Sequence, residues 1–180
     1  SVIYLLTLVL KPRNEIIYNN VRCNYQKMSK EIIRDIICQV LFENKSKETI
    51  LSVLNEFLPN YEEIYENYGK PNDDEYEFKS ENELISYYGE IPNITQTLYW
   101  NQKSDNSDNI MVGVNVTEDN KIIFSLTLDG TEETESKYYR KLKDFLNSEI
   151  GVISYVDPVF YENGKDFKQK YKNNKYDFEK

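Results

Sequence analysis

The sequence has no histidine, which removes the commonest general base and the commonest metal ligand. It has two cysteines, Cys23 and Cys38. Their number and spacing give neither a disulfide framework nor a zinc site, as fits a reducing, cytoplasmic setting. Glycine is scarce, with six residues in 180, and none opens a phosphate-cradling loop or a nucleophile elbow. Gly69, Gly89, Gly130, Gly151 and Gly164 fall where turns or caps are expected, while Gly113 marks a strand or a bulge. The longest apolar run, residues 2–10, is too short to cross a bilayer. From these absences no catalytic residue, cofactor or metal ligand is predicted, and no enzyme.

Charge is plentiful and unevenly placed. The net charge is −9, from 22 basic and 31 acidic residues. Residues 1–42 and 163–180 each carry +3, whereas residues 43–162 hold 10 basic and 25 acidic residues, a net −15. An acidic body repels nucleic-acid phosphates and attracts basic proteins. Asp73, Asp74, Glu75 and Glu77 crowd into one stretch that reads as a solvated loop. It lacks the alternating ligands, central glycine and closing glutamate of an EF-hand.

The apolar pattern organises the chain around residues 94–156. Three segments alternate with period two: 94–100, 110–116 and 122–128. In the second, Ile110, Val112, Val114 and Val116 share a face; in the third, Ile122, Phe124, Leu126 and Leu128 do. Asn115, Ser125 and Thr127 place water or a partner on the other face. In the first, Ile94, Leu98 and Trp100 share one face, and Thr95, Thr97 and Tyr99 the other. After Asp129-Gly130-Thr131 a helix is expected, with Glu132, Glu133 and Glu135 at its start and Lys137, Arg140, Lys141 and Lys143 later, as the helix dipole favours. Its inner face is Tyr138, Leu142, Phe145 and Leu146. A last strand, 152–156, follows and ends at Asp157-Pro158. Its expected direction is that of the third strand, because the helix carries the chain back.

Upstream, the pattern predicts helices. Ser29 caps one with a stripe of Ile32, Ile33, Ile36, Ile37, Val40 and Leu41, in which Cys38 is a buried structural thiol. Ser46 caps a second, with Ile50, Leu51, Leu54, Phe57 and Leu58 inward and Pro59 at its end. Tyr61, Ile64, Tyr65 and Tyr68 continue at helical spacing, and Gly69 and Pro71 stop them. Ser80-x-x-Glu83 is a capping box for a helix through Leu84, Ile85 and Tyr88 that Gly89 and Pro92 close. Near the end, Asn163-Gly164 makes a turn, and Phe167 and Tyr171 allow a short helix. The fold class is therefore α+β, a single domain over residues 1–180. It has a mainly antiparallel sheet, made of a three-stranded meander, a helical crossover and a fourth strand, packed against N-terminal helices. Residues 1–27 read as a non-core extension, Met28 as a natural start, and residues 172–180 as a frayed tail.

Sixteen tyrosines against one tryptophan are the remaining signal. Tyr138 and Tyr155 are expected in the core with hydroxyls at the rim. Adjacent aromatics cannot all face a core, so Tyr87 or Tyr88, and Tyr99 or Trp100, should be exposed. A basic protein partner is thus expected at Tyr87, Tyr88, Glu90, Tyr99 and Trp100, steered by Asp73, Asp74 and Glu75.

The helix from Ser80 to Tyr88, the three meander strands, and the run Asp129-Gly130-Thr131-Glu132 through its helix into residues 151–157 resemble the small acidic immunity proteins of bacterial polymorphic-toxin and contact-dependent inhibition systems. The resemblance spans about half the chain. It implies a non-enzymatic cytoplasmic protein, a monomer or weak homodimer, that binds and neutralises one cognate protein toxin. Neither nucleic acid nor membrane is then a direct partner. A phage-type anti-defence protein, whose acidic surface mimics nucleic acid, is the alternative; a small enzyme of another type is the third class.

Overall fold

A computed structural model of the chain describes residues 32–71, 73, 76–102 and 109–175. The expectations for residues 1–27, Ser29, Cys23, Asp74, Glu75 and residues 176–180 lie outside the described residues.

Among the described residues five strands and four α-helices run in the order β1 (Arg34–Phe42), α1 (Lys47–Phe57), α2 (Glu81–Glu90), β2 (Gln96–Trp100), β3 (Met111–Val116), β4 (Ile122–Gly130), α3 (Glu132–Leu146), β5 (Gly151–Tyr155) and α4 (Gly164–Tyr171). The fold is α+β, and its sheet order is β2-β3-β4-β1-β5 with every neighbour antiparallel. The meander β2-β3-β4 follows the period-two pattern, with β2 beginning at Gln96 and β3 at Met111. β5 runs in the direction of β4, but β1 lies between them.

That insertion overturns the first expected helix. Residues 34–42 are not helical but form the strand flanked by β4 and β5. Ile36, Cys38 and Val40 face one side, and Ile37, Gln39 and Leu41 the other, all buried. A strand buried on both faces reads as a near-continuous apolar run, and such a run satisfies helical spacing as readily. The β-branched residues Ile36, Ile37 and Val40 suit the pleat better than a helix.

α1 is capped as its sequence implies: the Ser46 hydroxyl accepts from the Thr49 N–H, and Ile50, Val53, Leu54 and Phe57 point inward. Pro59 follows its end, and Asn60 turns the chain at φ 68°. The tyrosine-rich stretch after it is not a helix; one 3-10 turn, Tyr65–Asn67, interrupts an otherwise irregular path. Isoleucine and tyrosines at helical spacing do not suffice without a cap, and Ile64 makes no side-chain capping bond. Half of the capping box forms at α2. Ser80 Oγ accepts from Glu83 N–H at 3.2 Å, but Glu83 reaches the Lys79 N–H at 3.0 Å instead of Ser80's. Gly89 does not stop α2; it lies inside it, where a Cβ would meet Lys47 N at 2.8 Å, so it lets α2 cross close to the start of α1.

The core lies between one sheet face and α1, α2 and α3. Trp100, Val112, Leu126, Cys38 and Ile153 form one row across that face, and Leu98, Val114, Phe124 and Val40 the next. Ile50, Leu54, Leu84, Tyr88, Tyr138 and Leu142 pack onto these rows. Each fully buried large apolar side chain contributes about 1.5–3 kcal/mol. α3 turns Glu135, Tyr138, Tyr139, Leu142 and Leu146 inward. Phe145, expected with them, is 40% exposed and meets Phe57 edge to face at 5.7 Å. Tyr155 is likewise at the surface, 45% exposed. On the opposite sheet face a smaller cluster of Leu41, Ile123, Val152 and Phe167 seats α4.

Candidate interaction surface

The predicted aromatic patch is divided by the structure. Tyr88 and Trp100 are fully buried, so neither can meet a partner. Alternation along β2 sends Trp100 into the core, where its Nε1–H donates to Glu81, and leaves Tyr99 42% exposed on the other face. Tyr88 closes the core beneath α2, its hydroxyl donating to the Gly69 carbonyl at 2.6 Å. Tyr87 is half-buried, and Glu90 and Asp73 are exposed. Tyr87 packs against Phe78 and Tyr88 on the core side, whereas Tyr99 lies on the other sheet face, so the five predicted contact residues are not one patch.

Tyr99 instead belongs to the second sheet face. Its row runs Tyr99, Gly113, Ser125, Gln39 and Val152, and the next runs Thr97, Asn115, Ile123 and Leu41. Gly113 is not a bulge. A Cβ there would lie 2.2 Å from Ser125 Oγ and 2.9 Å from the Tyr99 ring, so the glycine lets that ring lie down across β3.

An arm of chain leaving β5 closes the far side. Val156 takes φ 71°, rare for a β-branched residue, and the Asp157 N–H donates to the Tyr155 carbonyl at 2.8 Å in a tight reversal. The arm is then tied over the sheet. Val159 N–H donates to Gln39 Oε1 at 2.9 Å, and Asn115 Nδ2 donates to Tyr161 Oη at 2.7 Å. Gln39 is only 2% exposed, so its amide is a buried anchor of the arm. Burial pushes the Tyr161 phenol up to about 12, which keeps it neutral at physiological pH. Between arm and sheet lies a groove of about 330 Å³, floored by Gln39, Thr97, Asn115 and Ser125 and flanked by Tyr99 and Phe160. Phe160 is 76% exposed.

Tyr99 also lines a second concavity, with Glu62, Glu63, Asn67, Tyr68 and Asn101. The irregular stretch after α1 makes this wall: Glu62 N–H donates to the Asn101 carbonyl at 2.7 Å, and Tyr61 pairs with Gln102 in an isolated bridge. Glu62 and Glu63 are exposed. One exposed ring thus sits between a polar groove and a pair of free carboxylates.

The buried ionisable groups are engaged by the fold. Glu81 takes the Trp100 indole N–H and the Ile64 N–H at 3.0 Å, and burial raises its carboxyl above the usual range. Glu135 accepts from the Tyr155 hydroxyl at 2.7 Å. Cys38 is buried and free, and desolvation, with Glu135 nearby, pushes its thiol up to about 12, leaving it a poor nucleophile. Among the described residues no group of three or more Asp, Glu or Cys side chains is placed to hold a metal ion, and no helix is long and apolar enough to cross a membrane.

Sequence reasoning found Tyr99 through its adjacency to Trp100. It missed Phe160, Tyr161 and Gln39. The polar alternation at Asn115 and Ser125, with glycine at 113, was the available signal for the groove. No family model, curated protein or solved structure matches the chain.

Proposed function

We propose that the chain is a non-enzymatic immunity-type protein that binds and neutralises a basic bacterial toxin, with the Tyr99–Phe160 groove as the contact surface. The observation that carries this reading is the exposed Tyr99 ring between a polar groove and the free carboxylates Glu62 and Glu63. Interfaces draw most affinity from a few aromatic anchors in sites that exclude water, and take rate and selectivity from complementary charge. Here the groove floor offers amide and hydroxyl partners, the two rings offer apolar area, and the acidic wall attracts a cationic chain.

Co-expression with the toxin of the neighbouring gene tests the reading. The intact chain should rescue growth and co-purify with the toxin. Tyr99→Ala and Phe160→Ala should each weaken binding by about 2 kcal/mol or more without shifting the melting temperature appreciably. Full-affinity binding by the double variant would move the interface elsewhere, and displacement of DNA from a DNA-binding defence enzyme, with no toxin bound, would replace the reading by nucleic-acid mimicry.

A further inference from the structure

Three rings converge on one ammonium group on the α2 side of the molecule. Lys70 Nζ stands 3.3 Å from the centroid of the Tyr76 ring, 5.2 Å from that of Tyr87 and 5.9 Å from that of Phe78. The rings form walls rather than a stack. Tyr76 and Phe78 meet at 5.4 Å and 77°, and Phe78 and Tyr87 at 5.5 Å and 58°. Phe78 is buried as the floor, while Tyr76 and Tyr87 are half-buried and reach solvent.

A carboxylate tunes this enclosure. The Tyr76 hydroxyl donates to Glu83 Oε1, and the Lys79 N–H holds the other oxygen at 3.0 Å. These bonds, with Lys70 and Lys79 nearby, keep the Glu83 carboxyl below its usual range, so it stays ionised. A phenol that donates to an anion has a more electron-rich ring, and electron-rich faces attract cations more strongly. Glu83 therefore both orients Tyr76 and adds negative potential.

Lys70 lies on a turn and not in a helix or strand. It sits between Gly69 and Pro71, with Asp73 N–H donating to its carbonyl at 3.2 Å. Its backbone belongs to this turn and to no described helix or strand, so its side chain can leave the rings without disturbing the core. Aromatic enclosures of this kind serve elsewhere to bind ammonium groups brought by a ligand.

We propose that Tyr76, Phe78 and Tyr87, with Glu83 beside them, form a binding site for a lysine-type alkylammonium group of a partner, and that Lys70 is its built-in competing occupant. The partner's part rests on the reading of the chain as a binder of a basic protein; the site itself does not. A partner lysine that enters expels Lys70 into solvent. Binding is thereby weakened for isolated cations and kept for partners that also make contacts elsewhere.

n-Butylammonium, a lysine side chain without its backbone, tests the site with no toxin present. In the wild-type chain the Lys70 ε-protons should resonate upfield under the rings and return toward solvent values as the amine is added. Lys70→Met keeps the stem and removes the competing charge. It should bind the amine several-fold more tightly, with saturating shifts of the Tyr76 and Tyr87 ring signals, while neutral n-butanol gives none. Shifts that fail to saturate, that are equal in Lys70→Met and wild type, or that butanol reproduces would overturn the proposal. A chain that neutralises no toxin but binds the amine in this way would remove the toxin reading and leave the site standing.

Discussion

At the scale of single residues, the adjacency of aromatics carried information that a hydropathy average loses. Tyr99 and Trp100 differ by one step along β2, and that step separates a 42% exposed ring from a fully buried one. Val114 sits in the same register, paired with Leu98 and Phe124 and wholly buried. Val114→Asp places an unpaired carboxylate there and should cost about 4 kcal/mol or more, since a buried charge must be desolvated or neutralised. Urea unfolding of the variant should show this; an unchanged midpoint would contradict the placement of β3. The rim of the groove was less legible. Phe160 is exposed because the arm behind it is tied to Gln39 and Asn115, residues distant in sequence. Phe167 differs locally, since Asn163 starts α4 and Tyr171 follows at helical spacing, and it is buried completely against Leu41, Ile123 and Val152.

Among the elements, legibility followed local chemistry. α1, α2 and α3 were readable from Ser46, Ser80 and the charge order of residues 132–143, because caps and dipoles act within a turn. β1 was not, because the property that makes it a strand is the pair of neighbours on either side. α4 depends on both kinds of information. Asn163 Oδ1 accepts from the Asp166 N–H at 3.0 Å, a local cap. Asp119, in the β3–β4 turn, accepts from the Gly164 and Lys165 N–H groups at 3.0 and 2.8 Å and from the Thr117 hydroxyl at 2.6 Å. Burial alone would raise the Asp119 carboxyl, but these bonds outweigh it and hold the group below its usual range. A depressed carboxylate stabilises the fold fully above its unfolded value, about 3.9, and loses that contribution as pH falls through the lower folded value. Asp119→Asn should therefore cost about 1–2 kcal/mol at pH 7 and progressively less at a pH well below about 3.9. Chemical denaturation at both pH values checks this, and an equal loss at both would assign the effect to packing.

For the whole molecule, charge and topology separate into different roles. The excess of acid in residues 43–162 contributes Glu62 and Glu63 at one side of Tyr99. Neutralising both should slow association with a basic partner and flatten its salt dependence while changing dissociation little, because exposed charges act at the encounter. A change confined to dissociation would place them inside the contact. The topology has a temporal side. β1 is the earliest described strand, yet its partners β4 and β5 are the last two. At about 5–20 residues per second of synthesis, residues 34–42 wait on the order of 5–20 s for both neighbours. During that wait their backbone lacks its ladder and their isoleucines lack cover, so an interior strand of the finished sheet is open to aggregation in the growing chain. Closing so long a loop also sets the pace after dilution from urea. Refolding should take milliseconds to seconds, and a microsecond phase accounting for the full native signal would show that β1 is not the element the sheet waits for.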